Sequence, residues 1–530
     1  MPTKLFGKAM PVLAAGALFF FVPAMAVNAR GALPQAAPSS AVQDTFIIAL
    51  EGDPGNDINT ITTSGRYDLS LERMLYSPLL NYYGPNDITY LLAESVDLSS
   101  SGPTVATYHL RKGVVWSDGA PFTADDVIFT FEHIVKADYA NGHDNFVFDG
   151  QPVTFVKQDD YTVELRYPVF VSNPLEAASA EHFIMPKHIY AGDATLDNNP
   201  KNQKPVGTGP YKLAEYAAGQ YVKLVANDTY FLGKPKIPNM ILQIVSDLNA
   251  AKLALQKGEI HALSITVSDA ESLKSSGLNI YAYPEDRVGY LCVNLTSPRV
   301  QDINLRKALF FALNRNEMNI GAYVSTDYYA NAYSILPYAN PFFTDDLEKY
   351  EQDLNKARQY LAQVSGAIPV IRFAYTANNP QQEVQAMVAQ QNLRAIGVTV
   401  ELQGQDAASL QNKLMDHSNT DFELFLGGYI MGIDPGNYQP LFFSTAPYNY
   451  ARLNDAELDQ LWIAGSVEAD AAKRVEIYHE IQRHIADLAA WYPIVTNKRI
   501  LGVTSNIGGI EDARLIPIYT FEDMSKLYFK

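Results

Sequence analysis

Strand-type and helix-type segments alternate along almost the whole chain, which argues for mixed α/β domains and against a β-sandwich or a helical bundle. "DTFIIAL" (Asp44–Leu50) is a β-type run leading into the turn "EGDPGND", and helix signals follow from Asp68 to Leu80. "ATYHLRKGVVWSDGAPF" (Ala106–Phe122) reads as strand, turn and strand, with Asp118-Gly119 as a tight-turn dipeptide. Thr123 then opens a helix as its N-cap, with Asp125 and Asp126 in the first turn at near capping-box spacing. "VTFVKQDDYTVELRY" (Val153–Tyr167) reads as a hairpin, as does "VGTGPYKLAEY" running into "QYVKLVAND". "LNAAKLALQKGEIHAL" (Leu248–Leu263) passes from helix to strand. "EVQAMVAQQNLRAIGVTVELQ" is an amphipathic helix stopped by Gly397 before another strand.

With 530 residues, the chain exceeds what one core usually organises, so two or three domains are expected. Hydrophobic residues make up 47% and charged residues 18%, a globular balance and not a disordered one. Lys4 and Lys8 precede the apolar run Ala9–Val22, and Ala24-Met25-Ala26 supplies an A-x-A cleavage site. That pattern predicts a secretory signal peptide over residues 1–26, cut after Ala26. Pro23 closes the run, which is short for a bilayer span. Ala29–Ala41 is an Ala/Pro/Ser tether. The formal net charge is −18, and losing Lys4 and Lys8 makes it two units more negative. Such a surface repels nucleic acid and anionic lipid. Cys292 is the only cysteine, so no internal disulfide forms and none stands near the cleavage site to carry a lipid. A lipid-free exported protein stays near its membrane only inside an outer envelope, which points to a periplasmic location.

Signs of catalysis are weak. In "HEIQRH" the imidazoles of His479 and His484 are five residues apart, and Arg483 occupies the position a helical zinc motif needs for its second histidine. "GTGPYK" (Gly207–Lys212) lacks the Gly-Lys-Ser/Thr ending of a phosphate cradle, and Pro210 removes a backbone donor. No G-x-S-x-G elbow occurs, and Cys292 sits in an apolar strand, "YLCVN". The acid pairs Asp125/Asp126 and Asp345/Asp346 read as helix starts. No catalytic residue, metal or cofactor is therefore expected. The unusual feature is aromatic: 33 tyrosines and 25 phenylalanines, clustered in "YAYPEDRVGYLCVN", "AYVSTDYYANAYSILPY" and "LGGYIMGIDPGNYQPLFF" (Leu426–Phe443). Tyrosine combines an apolar face with a hydroxyl, which suits a recognition cleft.

Three segments carry a family resemblance. "YHLRKGVVWSDGAPFTADDVIFTFEHI", "PVGTGPYKL" and "VGYLCVNLTSPRVQDINLRKALFFALNR", the last with Arg306-Lys307-Ala308-Leu309, resemble the extracytoplasmic solute-binding proteins of peptide-type ABC importers. Oligopeptide, dipeptide and nickel binders belong to that family. The resemblance implies a two-lobe periplasmic binding protein of type II, in the large three-subdomain form. Lobe I would combine residues 27–71, 205–285 and 492–530; an inserted subdomain would span 72–204; lobe II would be 286–491. "YPEDRVGY" and "WYPIVTNK" would be the hinge crossings. A ligand would bind between the lobes, closure would bury it, and the closed form would meet a membrane permease. A monomer is expected.

In the same family, the cleft-lining segment reads Gly-Trp and, three residues later, an aspartate that pairs with a peptide's free α-ammonium. Here Gly428 stands at the tryptophan position and Met431 at the aspartate position. A thioether cannot pair with an ammonium. Three readings stay open. Tyr429 and Asp434 take over the amine; the peptide's amine is blocked or placed elsewhere; or the ligand is a non-peptide such as an oligosaccharide, which tyrosine-rich walls would suit. The expected ligand-binding residues are Glu51, Tyr290, Asn294, Gly428, Tyr429, Met431, Asp434 and Asn437, while Arg306 supports its lobe. Asp434 also has a purely structural role available, starting the turn that follows it. A secreted hydrolase or a chaperone would be the competing class.

Overall fold

A computed structural model describes residues 44–530, apart from Ser64, Pro85, Ser100, Ser101, Tyr139, Asp149, Ala180 and Ala194. The expected signal peptide, its cleavage site and the tether lie outside the described residues.

The framework is one 11-stranded mixed sheet. In chain order its strands are β1 (Thr45–Leu50), β2 (Tyr211–Ala217), β3 (Tyr221–Ala226), β4 (Asn239–Ile244), β5 (Ala262–Ser264) and β6 (Asn279–Val293). They continue as β7 (Tyr329–Asn331), β8 (Ile371–Thr376), β9 (Val400–Gln405), β10 (Leu424–Tyr429) and β11 (Trp491–Val503). The spatial order is β2-β3-β4-β1-β5-β11-β6-β10-β8-β9, with β7 paired to β11. β1 runs parallel to β4 and β5, and β8 runs parallel to β9 and β10. The two long strands, β6 and β11, are antiparallel neighbours at the centre and carry the chain from one half of the sheet to the other.

Period-two alternation sorts side chains between cores. In β6 and β10, Leu291, Val293, Leu424 and Leu426 enter one apolar core with Leu309, Phe373 and Leu393. The alternate residues Tyr290, Cys292 and Phe425 enter another with Trp462, Tyr478 and Trp491. A separate, larger core gathers Phe46, Ile48, Leu69, Leu242 and Val503 with Tyr108, Trp116, Phe131 and Leu165. The fold is therefore two-lobed, each half of the sheet having its own interior.

Part of the larger core comes from a second, four-stranded antiparallel sheet in the order Ala93–Ser99, Val105–Leu110, Thr162–Arg166, Thr154–Asp159. The helix Ala124–Lys136 packs on this sheet. Its N-terminus has the expected capping box, Thr123 and Asp126 each accepting a backbone N–H that the helix leaves unpaired. The hairpin over 153–167 forms as read. The second strand expected between 114 and 122 does not: only a Val115–Pro121 bridge closes around Asp118-Gly119. Asp345 and Asp346 lie in a loop and not at a helix start, where they pair with Lys349 and Arg483. "GTGPYK" is a packed turn: Gly209 N–H donates to Leu75 O at 2.9 Å, and a Cβ at Gly207 or Gly209 would strike the Leu75 carbonyl. In the helix Ala471–Asp487, His484 meets Asp455 at 3.0 Å while His479 lies beside Glu476.

Candidate functional site

Two features of Leu426–Phe443 decide its shape: a glycine pair at its start and one aspartate at its centre. β6 pairs with β10 so that Gly289 faces Gly428 and Tyr290 faces Gly427. A Cβ at Gly427 would collide with the Tyr290 ring, and a Cβ at Gly428 would fall inside the Arg287 guanidinium. The dipeptide is thus a slot that admits an aromatic ring at one position and a guanidinium at the next. Arg287 fills the space that opens where the family pattern has tryptophan.

Past the strand, Gly432 adopts φ +74°, a backbone state that disfavours side chains, and the chain turns into a single 3-10 turn, Pro435–Tyr438. Asp434 caps that turn, accepting the Gly436 N–H at 2.7 Å. Its side chain is 11% exposed and receives Arg474 Nη2 at 2.8 and 3.0 Å. Arg474 in turn donates through Nε to Gly465 O and lies against the rings of Phe342 and Tyr478. Burial pulls the Arg474 pKa down, but the Asp434 hydrogen bond and charge outweigh it and raise the guanidinium above its ordinary value. The single charge of the stretch is therefore half of an internal ion pair, and not an open seat for a ligand cation.

A second carboxylate reaches this turn from the segment that follows the four-stranded sheet. Glu176, in the short helix Pro174–Ala177, accepts the Ile433 N–H and the Asp434 N–H at 3.0 Å each. Asn437 Nδ2 adds a bond at 3.2 Å, and Asn173 Nδ2 another at 2.7 Å from the Glu176 side. Gly432 is required here too, since a Cβ on it would meet Glu176 Oε1. Burial, then the nearby Asp434 charge, push the Glu176 carboxyl up to about 7 against the pull of those N–H donors. One side chain so joins the turn after Met431 to the short helix Pro174–Ala177.

The hinge shows a matching discontinuity. β6 and β11 pair up to Pro284–Lys498 and resume at Val288–Thr496, leaving Glu285, Asp286 and Arg287 out of the ladder. Glu285 anchors the gap, receiving Asn497 Nδ2 at 2.6 Å and Arg66 Nη2 at 3.3 Å, with Arg499 at 3.7 Å. Asp286 takes a left-handed φ of +53°, uncommon for a residue other than glycine. Its carboxyl keeps contact with solvent, yet desolvation alone raises its pKa.

The expected ligand residues divide. Asn437 is exposed and meets Glu176, and Met431 is half-buried against the core containing Trp491. Glu51, exposed at the end of β1, acts electrostatically on Tyr67, whose ring covers Gly52. Three others lie in the interior of the fold. Asn294 is fully buried, its amide donating to Asn419 O and Phe422 O. Tyr290 is 3% exposed among Tyr429, Phe425 and Trp491. The Tyr429 hydroxyl donates to Ile335 O at 2.7 Å. Tyr290 and Tyr429 both enter the core that contains Trp462 and Trp491. Arg306 is in its expected supporting role, bonded to the Val300, Gln301 and Leu488 carbonyls. Glu176, Asp286, Arg287 and Arg474 escaped the sequence reading. Only the adjacent charges of "YPEDRVGY" signalled any of them.

Comparison with known proteins agrees with this architecture. Residues 87–450 match the model of the bacterial extracellular solute-binding proteins, family 5 middle region. The structure of the ABC transporter substrate binding protein CtaP from Listeria monocytogenes is 39% identical, with a TM-score of 0.88, covering 92% of this chain and 99% of that one. The oligopeptide-binding protein AppA of Bacillus subtilis is 28% identical over 467 residues, 83% of this chain and 84% of its own. Its structure in complex with a nonapeptide shares the fold at 24% identity, with a TM-score of 0.71 over 92% of this chain and 99% of that one. No described helix is long and apolar enough to cross a membrane. The chain belongs to the family 5 bacterial extracellular solute-binding proteins.

Proposed function

We propose that the protein is the exported, periplasmic substrate-binding component of an ABC importer. It captures a peptide or peptide-like solute between its lobes and delivers it to the membrane permease. The observation that carries this reading is the Glu176 contact to Ile433, Asp434 and Asn437, which shuts one wall of the cleft against the other. Lobe I comprises residues 27–71, 205–285 and 492–530, the insert 72–204 and lobe II 286–491, with β6 and β11 as the hinge strands. The break at Glu285–Arg287 and the separate cores of the two halves support that division. Closure must be linked to ligand by differential affinity, since a ligand held equally in both states shifts nothing. The peptide assignment draws on the oligopeptide-binding relative AppA and its nonapeptide complex. One chain supplies both walls, so a monomer suffices.

Incubation with mixed short peptides tests the reading against a hydrolase or a chaperone. A saturable rise in melting temperature with the peptides recovered intact supports it. Cleaved peptides, or indifference to short peptides with binding of unfolded chains, would overturn it.

A further inference from the structure

We propose that the protein has a second small-molecule site, separate from the peptide cleft, which takes a monocarboxylate with an apolar body. Arg73, with the hydroxyls of Tyr230 and Tyr519, receives the carboxylate.

The site is a cavity of about 440 Å³ between β1 and β4 of the main sheet, the helix Arg66–Leu75 and the C-terminal segment 511–526. That volume is within the usual range of ligand pockets. Ile48, Met74, Leu91, Leu242 and Phe521 give it an apolar wall. It shares no lining residue with the Asp434–Glu176 junction or with the ladder gap at Glu285–Arg287.

One buried cation interrupts that wall. Arg73 is 8% exposed, and its guanidinium lies over the Tyr519 ring at 4.2 Å. Its Nη atoms donate only to neutral oxygens, Glu522 O and Asn81 Oδ1, at 3.2 Å each. The Glu522 carboxylate is engaged elsewhere, by Asn81 Nδ2 at 3.0 Å and Arg514 Nη1 at 3.4 Å. Arg73 therefore has no ion pair among the described residues, and its Nε has no acceptor. The Tyr519 hydroxyl is likewise buried without a partner. Tyr230 is buried too, and its hydroxyl, which feels the Arg73 charge, makes no hydrogen bond among the described residues.

A buried cation beside donors that lack acceptors is satisfied by an anion that accepts several hydrogen bonds at once, as a carboxylate does. Glu511 and Asp512, exposed residues of the same lining, disfavour a second negative group, and the apolar wall accommodates a hydrocarbon body. The wall formed by the C-terminal segment is strained. Arg514, Ile518 and Thr520 take φ of +47°, +64° and +70°, a state rare for any residue but glycine and rarest for β-branched side chains. Strain of this kind gathers at ligand clamps.

Hexanoate, octanoate and hydrocinnamate, each beside its primary amide, are titrated calorimetrically into the wild-type protein, into Tyr230→Phe and Tyr519→Phe, and into the double variant. These substitutions remove hydroxyls that have no partner, so the melting temperature without ligand is expected to stay unchanged. At least one carboxylate is expected to bind saturably at one per chain, on the order of tenfold tighter than its amide and on the order of tenfold weaker in the double variant. Saturating mixed short peptides are expected to leave that affinity unchanged. No saturable binding of any of the three acids, equal affinity for acid and amide, or an affinity unmoved in the double variant overturns the inference. Displacement of the acid by the peptides overturns it as well, since the acid would then occupy the peptide cleft.

Discussion

Replacing Arg474 by methionine would leave the Asp434 carboxylate buried without its cation, the costly half of a broken ion pair. The expected loss is about 3–5 kcal/mol, read as a lower urea midpoint. Gly428→Ala drives a methyl group into the Arg287 guanidinium, at an expected cost of about 1–3 kcal/mol. Placing Gly428→Ala in an Arg287→Ala background should recover most of that loss; a double-mutant cycle measures the coupling, and additive losses would show that the two residues do not compete for space. At this scale the sequence was legible only in part. It showed that Gly428 and Met431 break the family pattern, and that Asp434 could cap a turn. It could not show what fills the vacated tryptophan space, because Arg287 arrives on a different strand. Nor could it show that Asp434 is already paired, because Arg474 projects from a helix beyond the stretch.

The turn Pro435–Tyr438 and the short helix bearing Glu176 meet as elements, and their junction titrates near neutrality. Docking raises the Glu176 carboxyl from its ordinary value near 4.5 to about 7, with Asp434, Arg474, Tyr82 and Tyr438 around it. A carboxyl that holds its proton more tightly when docked favours docking below its released pKa, and that contribution is lost as pH rises through 7. Peptide affinity is therefore expected to weaken between pH 5 and pH 8, and Glu176→Gln to flatten that part of the slope; calorimetric titration at several pH values checks it. Elements defined by local signals were readable: the Thr123 capping box, the 153–167 hairpin and the helix ended by Gly397 at φ +85°. The failures were those where neighbours decide. Residues 114–122 have turn chemistry but no partner strand beyond one bridge, and Glu176 looks like any acidic helix residue until the turn around Asp434, far along the chain, docks on it.

Across the whole molecule, β6 and β11 are the continuous connection, and the ladder gap at Glu285–Arg287 is where bending costs fewest hydrogen bonds. Glu176→Ala removes the contact between the walls, so peptide-free protein should show a larger radius of gyration by small-angle scattering, and added peptide should restore the compact value. The two-lobe plan was legible because its motifs follow the chain in family order. The placement of charge around Asp434 was not, because Glu176, Asp434 and Arg474 come together only after folding. The most direct test is mass spectrometry of what the purified protein releases on denaturation. Intact short peptides, near one per chain, are the expected result; a sugar, or peptide fragments generated on standing, would contradict it.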